Sequence, residues 1–144
     1  MYELVPVSQE TFDEVLDLCI QYAHERDMEW LIDFRTWDGL LTHMCEASTA
    51  YVLLRDSVPI GMLLMLEHPH VMNTTKAVLT PLVVYIQKEY RNGWGMHLML
   101  QQIERHAKTV DFSSISLGPE AKVKPETMLK RGYKVLETVY IKEN

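Results

Sequence analysis

The stretch Leu82-Val83-Val84-Tyr85-Ile86-Gln87-Lys88-Glu89-Tyr90-Arg91-Asn92-Gly93-Trp94-Gly95-Met96 organises the rest of the chain. It opens on an apolar, β-branched run and closes on Gly-x-Gly. Over about 94–108 the apolar residues Met96, Met99, Leu100, Ile103 and Ala107 recur at helical spacing. The order is strand, short glycine loop, helix. A helix start leaves four backbone N–H groups without partners and concentrates positive partial charge there. Glycines ahead of it let amides approach a ligand closely and permit φ > 0. The combination suits a phosphate or pyrophosphate, and Arg91 adds a fixed charge with a bidentate donor fork. This is not a P-loop, because no Gly-Lys-Ser/Thr follows. Nor is it the dinucleotide fingerprint, whose third glycine is replaced by Leu98. Two glycines in a plain strand–helix connection explain Gly-x-Gly equally well.

Upstream, Tyr2–Val7 reads as a first strand, and Ser8 as the N-cap of a helix over about 9–24. Phe12, Val15, Leu16, Cys19, Ile20 and Ala23 form its apolar stripe. A second helix is expected over about 36–46, with Trp37, Leu40, Leu41 and Met44 on one side. Thr49–Arg55 and Ile60–Glu67 flank Asp56-Ser57-Val58-Pro59 and read as a hairpin. Breaks follow at His68-Pro69-His70 and Asn73-Thr74-Thr75, and a long strand runs over Ala77–Ile86. Its Pro81 calls for an edge, a bulge or an end of pairing. Beyond the long helix, 113–117 reads as a short strand ended by Gly118-Pro119. A short helix over about 125–131 stops at Gly132, and Tyr133–Lys142 reads as the final strand. The resulting order, β-α-α-β-β-β-α-β-α-β, is that of an α/β or α+β single domain on a mixed sheet, spanning 1–144.

Composition narrows the function classes. The chain has 144 residues, 47% hydrophobic and 24% charged, as a soluble globular domain does. Two cysteines, Cys19 and Cys45, make no disulfide scaffold, and no Cys/His spacing suggests zinc. No apolar run approaches the length of a spanning helix, and the N-terminus lacks a basic, then apolar, secretory pattern. A cytoplasmic protein is expected, with no membrane partner and no metal. The net charge of −6 argues against general nucleic-acid binding. Residues 1–72 carry 13 acidic and three basic side chains, whereas 73–144 carry seven acidic and 11 basic. Such asymmetry suits one cationic and one anionic ligand; solvated acidic helix faces are the plainer account.

Element order and glycine loop together resemble the GNAT superfamily of acyl-CoA-dependent N-acetyltransferases, most strongly over residues 82–108. Val84–Arg91 is similar to the family's fourth strand and its exit. Arg91-x-Gly93-x-Gly95 is similar to the family's Arg/Gln-x-x-Gly-x-Gly/Ala, one residue shorter after the arginine. The resemblance implies a splayed central sheet with acetyl-CoA as co-substrate in the wedge between the fourth and fifth strands. Backbone groups of Val84 and Ile86, around Tyr85, would pair with pantetheine and the acyl carbonyl. Arg91 and the loop Asn92, Gly93, Trp94, Gly95 and Met96 would hold the pyrophosphate. The acceptor implied is a primary amine, acetylated directly in a ternary complex. The short chain also resembles small phage or bacterial accessory members.

Two family features are missing. The tyrosine that protonates the leaving thiolate is replaced by Met128, and the asparagine seven residues earlier by Ala121. Glu67, beside His68 and His70, is the best carboxylate for a general base, and Tyr85 is a second proton-handling candidate. For both, a structural role is the plainer expectation. Trp30, Phe34 and Trp37 are candidates to line an acceptor pocket. Candidate partners are acetyl-CoA, an amine-bearing acceptor and a second copy of the chain as a homodimer. The missing acid keeps open a CoA-binding or regulatory module without turnover, and more remotely a self-associating structural domain.

Overall fold

The computed structural model describes residues 1–118 and 121–142. Its elements are β1 (Tyr2–Pro6), α1 (Phe12–Glu25), α2 (Phe34–Glu46), β2 (Ala50–Arg55), β3 (Val58–His70), β4 (Asn73–Ile86), α3 (Gly95–Ala107), β5 (Phe112–Ser113) and α4 (Pro125–Lys130). The five strands lie side by side in chain order. Neighbours from β1 to β4 are antiparallel, and β5 runs parallel to β4. A parallel pair needs a crossover, and α3 supplies it.

Alternation along the buried strands feeds two cores. Val15, Leu18 and Cys19 of α1 and Leu41 and Met44 of α2 pack against Val52, Met62, Leu64, Val83 and Tyr85. Met99, Leu100 and Ile103 of α3 pack against Leu53, Leu63, Met65, Val84 and Ile86 on the opposite face. Leu41, Met44, Leu63 and Ile103 are wholly buried, and each contributes about 1.5–3 kcal/mol of apolar transfer.

Several boundaries differ from the sequence expectation. Ser8 does not cap α1: its N–H donates to Thr11 Oγ1 (3.0 Å) and its carbonyl accepts the Thr11 N–H (3.1 Å). The chain makes one tight turn first, and the helix starts at Phe12. The break expected at His68–His70 is instead paired, with Val78, Ala77 and Asn73; at Asn73–Thr75 the register is interrupted, Thr74 and Thr75 having no partner on β3, and the hairpin turns at Val71-Met72. The fifth strand is two residues long, and the stop expected at Gly118-Pro119 lies partly outside the described residues. The final strand expected over Tyr133–Lys142 is not formed. Val135, Leu136, Val139, Tyr140 and Ile141 are 68–89% exposed. Strand propensity is realised only against a neighbouring ladder, and the sheet's edge strand β5 offers two residues of it.

Candidate active site

Strands β4 and β5 pair at Val78–Phe112 and Leu79–Ser113. The last hydrogen bond between them runs from the Ser114 N–H to the Leu79 carbonyl (3.0 Å), and among the described residues the pairing then stops. Pro81 has no N–H to offer. Against β3, Met65 faces Pro81 and Leu64 faces Val83, so Leu82 is an extra residue. A bulge bends its strand and re-aims it, and here it coincides with the end of β4–β5 pairing. Further along, the Gln87 N–H donates to the Ile60 carbonyl (2.8 Å), and the Tyr85 carbonyl lies over Gly61. Tyr85 and Gln87 therefore turn their backbone groups toward β3. Alternation turns those of Val84 and Ile86 the other way, into the gap.

The glycine loop closes one end of this gap. The first bond of α3 runs from the Leu98 N–H to the Trp94 carbonyl (3.3 Å), which leaves the amides just before Leu98 without an intrahelical acceptor. Neither Gly93 nor Gly95 has positive φ; Gly132 alone does among the described glycines. Close packing explains them instead. A Cβ on Gly93 would lie 2.1 Å from the Tyr2 hydroxyl, and one on Gly95 would lie 2.5 Å from Leu53 Cδ2. Tyr2 also accepts a hydrogen bond from Arg55 Nη1 (2.9 Å), which puts a second guanidinium beside the loop. The loop carries Trp94, 58% exposed, whose ring sits 4.2 Å from that of His97.

Arg91 points inward. Its Nε donates to the Ile86 carbonyl (2.8 Å) and its Nη2 pairs with Glu25 Oε2, leaving the side chain 6% exposed. Tyr85 donates its hydroxyl to the other Glu25 oxygen (3.0 Å), and the Tyr22 ring stands edge-on to it. Burial pushes the Glu25 carboxyl up, but hydrogen bonds from Arg91 and Tyr85 and the Arg91 charge outweigh that and hold it below its usual range. Burial, then Glu25, push the Tyr85 phenol far up, so it stays protonated. Glu25 and Tyr85 border an open, polar cavity of about 450 Å3 between the end of α1 and the exit of β4.

The other candidates are dispersed. Glu67 stands opposite Leu79, at the closed end of the gap, 4.0 Å from His106. His68 Nδ1 donates to the Pro69 carbonyl (3.0 Å), and Nε2 shares a hydrogen bond with Thr80 Oγ1 (2.8 Å). His70 accepts the Met72 N–H (3.1 Å). Trp30 and Phe34 are exposed, whereas Trp37 lines a second, apolar cavity. Met128 packs against the α3 core and Ala121 is buried. Sequence reasoning missed Glu25, which pairs with Arg91, and Tyr2, which meets Gly93 and is held by Arg55; they are distant in sequence, and no local pattern signals them.

No family model matches the chain, and no curated protein does either. Solved structures do. An aminoglycoside N-acetyltransferase, AAC(6')-Iy, solved with a CoA-linked bisubstrate analogue, superposes with a TM-score of 0.73 at 12% identity, covering 100% of this chain and 98% of its own. A Trypanosoma brucei acetyltransferase gives 0.71 at 11% identity, covering 100% of both chains. A predicted acetyltransferase from Clostridium acetobutylicum, solved with acetyl-CoA, gives 0.74 at 11%, covering 100% and 96%. The chain has the fold of the GNAT acetyltransferases, a mixed α+β architecture with a five-stranded sheet.

Proposed function

We propose that the chain is a GNAT acetyltransferase that moves an acetyl group from acetyl-CoA to a primary amine in a ternary complex. The observation that carries the proposal is the gap itself. A strand edge bearing the Val84 backbone groups and the Ile86 N–H runs out of strand partners at a bulge and ends near the start of α3, with the Ile86 carbonyl taken by Arg91 Nε. An extended pantetheine arm satisfies such an edge as an added strand does, and the helix start suits its pyrophosphate. In this assignment the amides of Asn92, Trp94, Gly95 and Met96 hold the pyrophosphate, whereas the Gly93 N–H, expected to join them, donates to the Tyr90 carbonyl (3.3 Å). Arg91 ties the loop to Glu25 and the strand end, its charge paired with that carboxylate.

The chemistry needs a neutral amine, an aligned thioester and a donor for the tetrahedral oxyanion. The Val84 amide is the assigned donor. The Tyr85 hydroxyl is given to Glu25, and Glu67 stands at the paired end of β4 and β5, opposite Leu79, so alignment carries most of the rate. A free amine is mostly protonated at pH 7, and transfer should accelerate as pH rises. The acidic first half favours approach of the ammonium form. The test is thiol release from acetyl-CoA against a panel of primary amines. Amine-dependent release supports the proposal; none with any amine, at any pH tested, refutes it.

A further inference from the structure

We infer that the acceptor carries an apolar body, about one aromatic ring in size, behind its amine. The inference rests on acetyl transfer as proposed above and names the class of substrate. A cavity of about 230 Å3 lies between α1, α2 and the sheet, with Tyr22, Met28, Trp37, Leu40 and Met44 among its walls. Arg26 is the one charged side chain on those walls among the described residues, and its guanidinium lies over the Tyr22 ring, 4.6 Å from the centroid.

Position links this cavity to the reacting edge. Leu82 and Val83 form one of its walls. Leu82 is the bulged residue where β4 departs from β5, and Val84, the assigned oxyanion donor, lies two residues further on. A molecule seated in the cavity lies against the rim of the gap. Size and chemistry then select the occupant. An apolar cavity of roughly 150 Å3 stays dry and takes up benzene, so the larger space here accepts a ring with a short alkyl tether. A polyhydroxylated or multiply charged amine would leave its polar groups unpaired against these walls. The neighbouring 450 Å3 cavity is different in kind: Glu25, Lys88 and Glu89 border it. The last turns of α1 wall both spaces, with Gln21 and Glu25 toward the polar one and Tyr22 and Arg26 toward the apolar one. The fitting acceptor is an arylalkylamine or a similarly sized branched alkylamine.

Methionine positions make a direct test. Met28 and Met44 wall the apolar cavity, whereas Met96 sits in the first turn of α3 and Met72 at the hairpin turn. With methyl-13C methionine in the whole chain, 2-phenylethylamine should shift the Met28 and Met44 methyl signals saturably and leave Met72 unmoved. Putrescine at equal concentration should move neither cavity signal. Leu82→Lys, at a site 40% exposed, should weaken the phenylethylamine response at least tenfold. Silence of Met28 and Met44 up to about 10 mM, weaker than any useful substrate affinity, overturns the inference, as does an equal response to putrescine. The wild-type titrations decide the matter even where Leu82→Lys does not fold. CoA added to the same sample is read at Met96: a response there with a silent cavity sinks the acceptor inference alone, and silence there sinks the acetyl-transfer proposal.

Discussion

Replacing Gly95 by alanine tests why the loop needs glycine. The new Cβ would stand 2.5 Å from Leu53 Cδ2 and 3.2 Å from Ile86 Cδ1. Leu53 is 0% exposed and Ile86 is 3% exposed, both inside the α3-side core. The Leu53 methyl has nowhere to rotate, so the first turn of α3 must lift off the sheet. Overpacking of this kind costs about 1–3 kcal/mol, offset by at most about 1 kcal/mol of helix propensity. The expected net loss is about 1–2 kcal/mol, which lowers Tm by roughly 3–6 °C. Urea unfolding of four proteins checks it: wild type, Gly95→Ala, Leu53→Val and the double variant. Valine lacks the δ-methyl that the new Cβ meets, so Gly95→Ala should cost at least ~0.5 kcal/mol less in the Leu53→Val background. Equal costs in both backgrounds, or stabilisation by Gly95→Ala alone, would refute the packing argument.

Glu25 has a lowered folded pKa, so its contribution is present above the unfolded carboxylate pKa and lost as pH falls through the folded one. Glu25→Gln should therefore destabilise by on the order of 1 kcal/mol at neutral pH, and urea midpoints of the two proteins should converge in acid; a difference that persists there contradicts the ion-pair assignment. Glu67→Gln and Tyr85→Phe should each change kcat/KM for acetyl transfer less than about tenfold, or ~1.4 kcal/mol, at neutral pH; a loss of a hundredfold in either would make that side chain catalytic. Burial pushes the Cys19 thiol up to about 12, and its Sγ lies 3.6 Å from Met62 Sδ in the core. Half-buried Cys45 should react first with a disulfide reagent at pH 8, and Cys19 only as fast as the chain unfolds.

The sequence disclosed the elements that local pattern dictates. Apolar runs bounded by turn residues marked β2, β3 and β4, whose side chains feed the two cores, and helical spacing marked α3, which buries one face. The β4–loop–α3 unit was legible for the same reason. What determines the glycines was not, since Tyr2 and Leu53 meet the loop only after β1 and β2 have folded beneath α3. Arg91 read as a cation for phosphate, yet its partner Glu25 lies 66 positions away and turns it inward. Pro81 signalled an interruption correctly, but the extra residue at Leu82 is a property of the register with β3. The segment 133–142 is the clearest excess of propensity over structure. Its apolar residues suit a strand, and they remain exposed.

The central claim is that the gap between β4 and β5, closed by the start of α3, is an acetyl-CoA site. Calorimetric titration of the purified chain with acetyl-CoA tests it most directly, without need of an acceptor. The expected result is a saturable 1:1 isotherm, matched by about 2.7 kcal/mol of added stability when ligand exceeds Kd a hundredfold. Heats no larger than dilution up to about 1 mM acetyl-CoA, a limit of roughly −4 kcal/mol in binding free energy, with no change in Tm, would contradict it.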